Sequence, residues 1–241
     1  MLASRRMNVY SLYYMVERII TGPLHTNSFV VSTGRKSCLL IDPGVDAEKI
    51  WQSMERINLT PHTIVFTHGH IDHTAGALEI IEHYREKGVE IRVGIHSSDA
   101  DYLGLNGEEI NRKLLPVNNE EADEVFTQLF KPRPQADFYF SDGDSLPESD
   151  LQVIHTPGHT EGSVCFYSEV NSALFTGDSL FFDALGRTDY TSSNKDDLLN
   201  VLNSKIFQLP PETRIYPGHG PLSSLEREIR DDSFKTNHGM I

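Results

Sequence analysis

Cysteine is scarce in this chain of 241 residues: Cys38 and Cys165 are the two, each inside an apolar run. Two thiols cannot staple a small secreted scaffold, so the chain must be held by its own core, and both are expected to be buried and unbridged. Basic charge is also short. Against 35 Asp and Glu stand 21 Lys and Arg, a net charge of −14, with no run of basic residues. Such a surface repels a phosphate backbone, so a nucleic-acid partner is excluded and a small-molecule substrate is expected instead. No apolar stretch reaches the roughly 20 residues that span a bilayer, so no membrane anchor is expected. The opening Met1-Leu2-Ala3-Ser4-Arg5-Arg6-Met7 is too short for a secretory signal, and the residues after it are too polar to extend one. Met7 is an alternative start, and a cytoplasmic location is the expectation. Repeats and low-complexity tracts are missing too. The length suits one domain over residues 1–241, large enough to bury a substantial core, and leaves the oligomeric state open.

What the chain does have is histidine in one place. In Thr67-His68-Gly69-His70-Ile71-Asp72-His73-Thr74, three histidines and an aspartate fall within six residues. His68 and His70 are two apart, so an extended backbone points both imidazoles to one side. Asp72 and His73 come next, where the chain must turn. Thr63-Ile64-Val65-Phe66 before them reads as a buried strand, and Ala75 to Tyr84 after them as a helix. Strand ends leading into loops are where α/β proteins place their chemistry, and two metal ions could share such a cluster.

The same grammar of short strand, glycine turn and one ligand-type side chain recurs three times. His159 lies in Thr156-Pro157-Gly158-His159-Thr160, Asp178 in Phe175-Thr176-Gly177-Asp178-Ser179, and His219 in Tyr216-Pro217-Gly218-His219-Gly220. Each comes after a strand-like run: Leu151–Ile154, Ala173–Phe175 and Arg214–Tyr216. Further strands are expected at Phe29–Val31, Cys38–Ile41, Ile91–Ile95 and Ser163–Tyr167. Helices are expected at Ala47–Ile57 and Lys195–Phe207, where apolar residues recur at helical spacing. Ser97 to Phe140 is a long excursion, acidic over Glu120–Glu124, with Pro132 and Pro134. It reads as a candidate cap, about residues 97–140, over a metal groove, with Tyr102, Leu103, Leu105 and Phe130 as candidate pocket residues.

This constellation resembles the metallo-β-lactamase superfamily, from Thr26-Asn27-Ser28-Phe29 to Pro217-Gly218-His219-Gly220. The resemblance implies an α/β (α+β) fold, a four-layer αββα sandwich of two mixed sheets with the metals in a groove at one sheet edge. It also implies ligand roles: His68, His70 and His159 for one ion, Asp72, His73 and His219 for a second, and Asp178 bridging the two. Asp42 matches a position beside the histidine loop, and as a simple turn residue before Pro43 it is equally well explained.

Five neutral imidazoles and two carboxylates give this set a charge of −2, which two divalent cations turn electrophilic. Metal binding lowers the pKa of water toward about 7, so a bridging hydroxide becomes available at neutral pH, with Asp72 orienting it as well as binding metal. Without cysteine among the ligands the set suits zinc, with iron or manganese as alternatives. Gly186-Arg187-Thr188-Asp189 looks like the glyoxalase II-like hydrolases and also like the persulfide dioxygenases, while the ending Tyr216 to Ser224 is closer to the former. Arg187 and Asp189 are read first as a structural ion pair, second as a steering pair for an anionic substrate. Full-length glyoxalase II proteins carry a C-terminal helical domain with basic residues for glutathione. Here residues 220–241 come after the last ligand, enough for one short helix at Leu225–Arg230. The expected activity is therefore hydrolysis of a thioester of the S-lactoylglutathione kind, with the acyl chemistry better defined than the thiol carrier. Three alternatives remain: a mononuclear iron persulfide dioxygenase using His70, His159 and Asp178; another ester, lactone or phosphodiester hydrolase; and a metal-binding protein with no activity.

Overall fold

Alternating apolar residues on consecutive strands, covered on both sides, set the architecture. The computed structural model describes residues 14–114, 124, 127, 129–190 and 192–230. The first sheet runs in chain order: β1 (Val16–Thr21), β2 (Thr26–Ser32), β3 (Ser37–Ile41), β4 (Thr60–Val65), β5 (Arg92–His96) and β6 (Phe138–Phe140). β1, β2 and β3 pair antiparallel, and β3 to β6 pair parallel. The parallel part needs crossovers, and helices α1 (Ala47–Arg56) and α3 (Ala77–Arg85) lie in two of them, with the short α2 (Ile71–Thr74) before the latter. A third crossover holds α4 (Gly107–Lys113).

The second sheet is built from β7 (Gln152–His155), β8 (Val164–Ser168), β9 (Ala173–Gly177), β12 (Arg214–Pro217) and β13 (Ser223–Ser224), in the spatial order β13-β12-β9-β8-β7. It too is mixed, with β9 and β12 parallel and the other pairs antiparallel. A small hairpin, β10 (Leu180–Phe181) with β11 (Ala184–Leu185), comes after β9. Helix α5 (Lys195–Ser204) precedes β12, and α6 (Leu225–Arg230) comes after β13.

Residue parity assigns the layers. Phe29, Val31, Leu39, Ile41 and Val65 of the first sheet pack with Val153, Val164, Phe166 and Phe175 of the second, so these faces form the central core. Their neighbours Val30, Cys38, Leu40 and Ile64 point the other way, onto Ile50 and Met54 of α1 and Ile80 and Ile81 of α3. Cys165, Leu174 and Ile215 likewise point outward onto Leu198 and Leu202 of α5. Helix, sheet, sheet and helix thus stack as the four-layer αββα sandwich anticipated from sequence. All seven residues of β2 are buried, as a strand covered on both faces requires. In the central core Phe29 meets Phe175 edge-on at 5.3 Å, and Phe175 stacks on Tyr216 at 4.9 Å.

Several details differ from the pattern-based reading. The helix expected at 75–84 is α3 (Ala77–Arg85), and the turn expected at Asp72 and His73 is a short helix of its own, α2. The helix at 195–207 stops at Ser204 and continues as a 3-10 turn over Ile206–Gln208. Leu103, just after the 3-10 turn Ser97–Tyr102, packs in the core beneath the first sheet and also borders a surface cavity with Gly104 and Leu105. Leu105 is 94% exposed. The acidic stretch 120–123, the segment 1–13 and the final residues 231–241 lie outside the described residues. Both cysteines are free and buried in different layers, and burial pushes the Cys165 thiol up to about 12. Among the described residues no helix is long and apolar enough to cross a membrane.

Phe166 is fully buried between the sheets. Phe166→Ala should lower unfolding stability by about 3–5 kcal/mol in a denaturant titration, as cavity-forming aromatic deletions do.

Candidate metal centre

Four strand ends meet at one rim of the sandwich. β4 ends just before His68 and His70, and α2 then carries Asp72 and His73. The β7–β8 turn carries His159, the residue after β9 is Asp178, and His219 lies two residues past β12. Residues up to 151 positions apart in sequence, 68 and 219, are thereby brought to one place. His68, His70 and His159 present ligand atoms within 4.8 Å of one another, and so do Asp72, His73 and His219. Asp178 stands between the sets: its Oδ1 is 3.4 Å from His73 Nε2, and its Oδ2 is 3.6 Å from both His159 Nε2 and His219 Nε2. Five imidazoles and two carboxylates therefore face one another in a buried pocket.

The donor set fits divalent cations on an observation of its own. His68 Nε2, His70 Nε2 and Asp178 Oδ1 are buried and have no hydrogen-bond partner. Unpaired buried polar atoms are costly, and a metal ion in the cluster, where His70 turns Nδ1 to within 2.9 Å of His159 Nε2, would satisfy such donors.

The protein holds these side chains by their far atoms. Asp42 accepts from the Thr67 N–H at 2.7 Å and hydroxyl at 2.6 Å, and its Oδ2 is 3.0 Å from His73 Nδ1. This fixes the His73 tautomer and leaves Nε2 for the cluster. Asp42 adopts φ +49°, a strained conformation for a non-glycine residue, so it is more than a turn former. His159 Nδ1 lies 2.8 Å from the Arg187 carbonyl, and His219 Nδ1 lies 3.0 Å from the Leu24 carbonyl. Thr26 donates its hydroxyl to Asp72 Oδ2 at 2.7 Å, and Asn27 donates to the carbonyls of Pro217 and Gly220, tying down the His219 loop. Two glycines permit the close approach. A Cβ on Gly218 would meet Asp178 Oδ1 at 2.3 Å, and one on Gly186 would meet the Asp178 carbonyl at 1.7 Å.

Sequence reading missed Asp99. It is fully buried in the turn after β5 and accepts from the Gly69 N–H at 2.9 Å, the Gly162 N–H at 2.8 Å and the Thr160 hydroxyl at 2.7 Å. Burial holds its carboxyl above the usual carboxylate range against the pull of these donors. One side chain thus joins the loop bearing His68 and His70 to the loop bearing His159. No motif announced it; an aspartate in Ser97-Ser98-Asp99-Ala100 looks like a helix-start residue. Tyr190 was missed as well: its ring lies 5.3 Å from His70 and 5.9 Å from His159. Tyr102, expected near the groove, lies 5.8 Å from the His70 ring. Arg187 and Asp189 form the anticipated ion pair, bidentate at 2.9 and 2.8 Å, with Arg187 over Tyr190.

The two sets differ electrostatically. Burial, and the neighbouring imidazoles, push His68 well below the usual histidine range and His70 to about 3. Burial also lowers His159, although Asp178 opposes it. For His73, the charges of Asp72 and Asp178 outweigh burial and raise it well above the usual range, and His219 is raised in the same way. The carboxyls of Asp72 and Asp178 are in turn held low by these imidazoles despite burial. Without metal, the surroundings favour the neutral form in the first set and the protonated form of the two imidazoles in the second, where protons compete for lone pairs a cation would use.

A protein whose facing mixed sheets carry two such sets at one rim has the architecture of a metallohydrolase, and residues 21–219 match the metallo-beta-lactamase superfamily. The chain belongs to that superfamily. It is 32% identical over 221 residues to a probable metallo-hydrolase, YqgX, of Bacillus subtilis, covering 90% of this chain and 95% of that one. It is 29% identical over 222 residues to the hydroxyacylglutathione hydrolase GloC of Haemophilus influenzae, covering 91% and 97%. Among solved structures, TTHA1623 in a di-iron-bound form superposes with a TM-score of 0.72 at 30% identity, covering 91% of this chain and all of that one.

Asp99→Ala should leave the far-UV circular dichroism unchanged but reduce metal retained after dialysis, with kcat down about 10–100-fold, as for other residues that orient ligands. Metal titrations of the stripped protein should separate the two sets by pH. His73 and His219 must release protons, so the weaker site should lose affinity as pH falls below 7, while the stronger one holds until pH is well under the ordinary histidine range. Equal pH slopes for both metals would contradict the assignment.

Proposed function

We propose that this protein is a metal-dependent hydrolase acting on a thioester of the hydroxyacylglutathione type. The observation that carries the reading is the pair of three-residue sets sharing Asp178, in a chain that aligns over 91% of its length with a hydroxyacylglutathione hydrolase. In this reading His68, His70 and His159 hold one divalent ion, Asp72, His73 and His219 hold a second, and Asp178 contacts both. Ions bound there supply a low-pKa water as nucleophile and polarise the carbonyl to be attacked. Zinc is the first expectation, and the di-iron form of TTHA1623 makes iron the first alternative to test.

The chain's own groups do the rest. Asp72, held by Thr26 through Oδ2, keeps the orientation needed to accept a proton from the attacking water. Asp42 keeps His73 aimed inward. Tyr190 and Tyr102 stand beside His70, walling that side of the pocket. A thioester suits this arrangement, because a thiolate departs without a strong general acid, and none is needed from the protein. The persulfide dioxygenase reading uses His70, His159 and Asp178 and leaves Asp72, His73 and His219 without a task. Their convergence favours the dinuclear hydrolase.

Zinc- and iron-loaded protein should hydrolyse S-lactoylglutathione with kcat/KM above about 10⁴ M⁻¹s⁻¹, within the ordinary enzyme range. His68→Ala and Asp178→Ala should each lower kcat by at least about 100-fold, with metal content reduced, while the fold is retained. Faster turnover of a β-lactam, or oxygen uptake with glutathione persulfide and no thioester hydrolysis in any metal form, would overturn the proposal.

A further inference from the structure

Away from the metal centre, Arg133 is a buried charge that, among the described residues, has no paired counter-ion. The residue is only 6% exposed, and its Nε and Nη1 have no hydrogen-bond acceptor. Among the described residues no carboxylate pairs with it. The acid in its vicinity, Glu108, is engaged with Arg112 at 3.1 Å, and the nearby Lys131 is spent on Glu79 at 2.7 Å and the Val45 carbonyl at 3.2 Å. Burying an ion without a counter-ion costs several kcal/mol, so a chain keeps one only where something repays it.

The surroundings give Arg133 a fixed pose and an open side. Pro132 and Pro134 flank it, so the backbone is restricted before and after it. The Pro134 carbonyl accepts from the Gly104 N–H at 3.1 Å, fastening this segment to the turn before α4. The Phe130 ring lies under the guanidinium at 5.4 Å from its centroid. Gly107 leaves room for it, since a Cβ there would come within 3.0 Å of Nη2. Arg133 lines a surface cavity of about 420 Å³ with Phe130, Leu105, Pro132 and Gln135 among its walls. Glu108 and Lys131 border the same cavity, each engaged in an ion pair of its own, so Arg133 is the guanidinium left to recognise a carboxylate or phosphate carried on a small organic molecule. Phe130 also packs on the cluster containing Ile71, the residue between His70 and Asp72, so the cavity adjoins the histidine loop.

We propose that the cavity between the Gly104 turn, α4 and the Phe130–Gln135 segment is an oxyanion-binding site, with Arg133 as the group that receives the carboxylate or phosphate of a small ligand. The site stands independently of what the metal centre hydrolyses.

The test is thermal unfolding of the metal-loaded protein in chloride buffer at constant ionic strength, with sodium succinate and sodium phosphate as separate probes. At an anion concentration about 100 times Kd, wild type should gain about 5 °C or more in Tm. Arg133→Gln, which keeps polar reach but removes the charge, should match or exceed wild type without anion and lose the gain with it. A response to succinate alone assigns a carboxylate ligand, and a response to phosphate alone a phosphate ligand. No gain with either anion, or an equal gain in Arg133→Gln, overturns the proposal; an equal gain would place the anion at the metal centre or on the general surface. Arg133→Lys keeps the charge without the fork, and calorimetric titration should show binding at least about 10-fold weaker than in wild type. Unchanged affinity in that variant would also overturn it.

Discussion

Five imidazoles and two carboxylates crowded out of water cannot all be satisfied by one another. His68 and His70 keep bare Nε2 lone pairs, Asp178 keeps a bare oxygen, and the two aspartates facing His73 and His219 favour their protonated forms. Much of the architecture around this cluster serves to hold mutually unfavourable groups in place until cations neutralise them. The sandwich does this by bringing the ends of β4, β7, β9 and β12 to one rim, so that the candidate ligands sit where strands of the core end.

Anchoring runs through the side of each ligand that faces away from the cluster. Asp42 grips His73, backbone carbonyls of Arg187 and Leu24 orient His159 and His219, and the Thr26 hydroxyl holds Asp72. Asp99 goes further and joins two loops, one from each sheet. These contacts explain why glycine recurs at the turns. The backbone must pass close enough at Gly186 and Gly218 to leave no room for a Cβ, and a bulkier residue would push the ligands apart.

Much of this is legible in the chain alone. The His-x-His-x-Asp-His run and three later strand–glycine–ligand turns carry the ligand set, because ligands at strand ends leave a local signature: a buried apolar run, a flexible residue, then a polar side chain. The layers are legible too, since Phe29 and Val30, or Leu39 and Leu40, must point to opposite faces of a strand. Asp99, Thr26 and Tyr190 are not legible. Each acts on residues 30 or more positions away or through a ring contact, and each looks locally like a cap, a strand residue or a loop aromatic. The core packing of Leu103 is hidden for the related reason that a 3-10 turn, not the excursion's composition, decides which way it points.

By itself the sequence determined which residues could ligate metal, that they are nitrogen and oxygen donors, and that strands alternate around a two-faced core, because residue type and period are local properties of the chain. Tertiary structure alone decided which ligands share a cluster, which imidazoles carry protons, and that Asp99 ties the two loops together. It also left Arg133, between two prolines, buried with Nε and Nη1 unpartnered. Those outcomes depend on distances between residues far apart in sequence and on exclusion of water, and neither exists until the sheets have closed on each other.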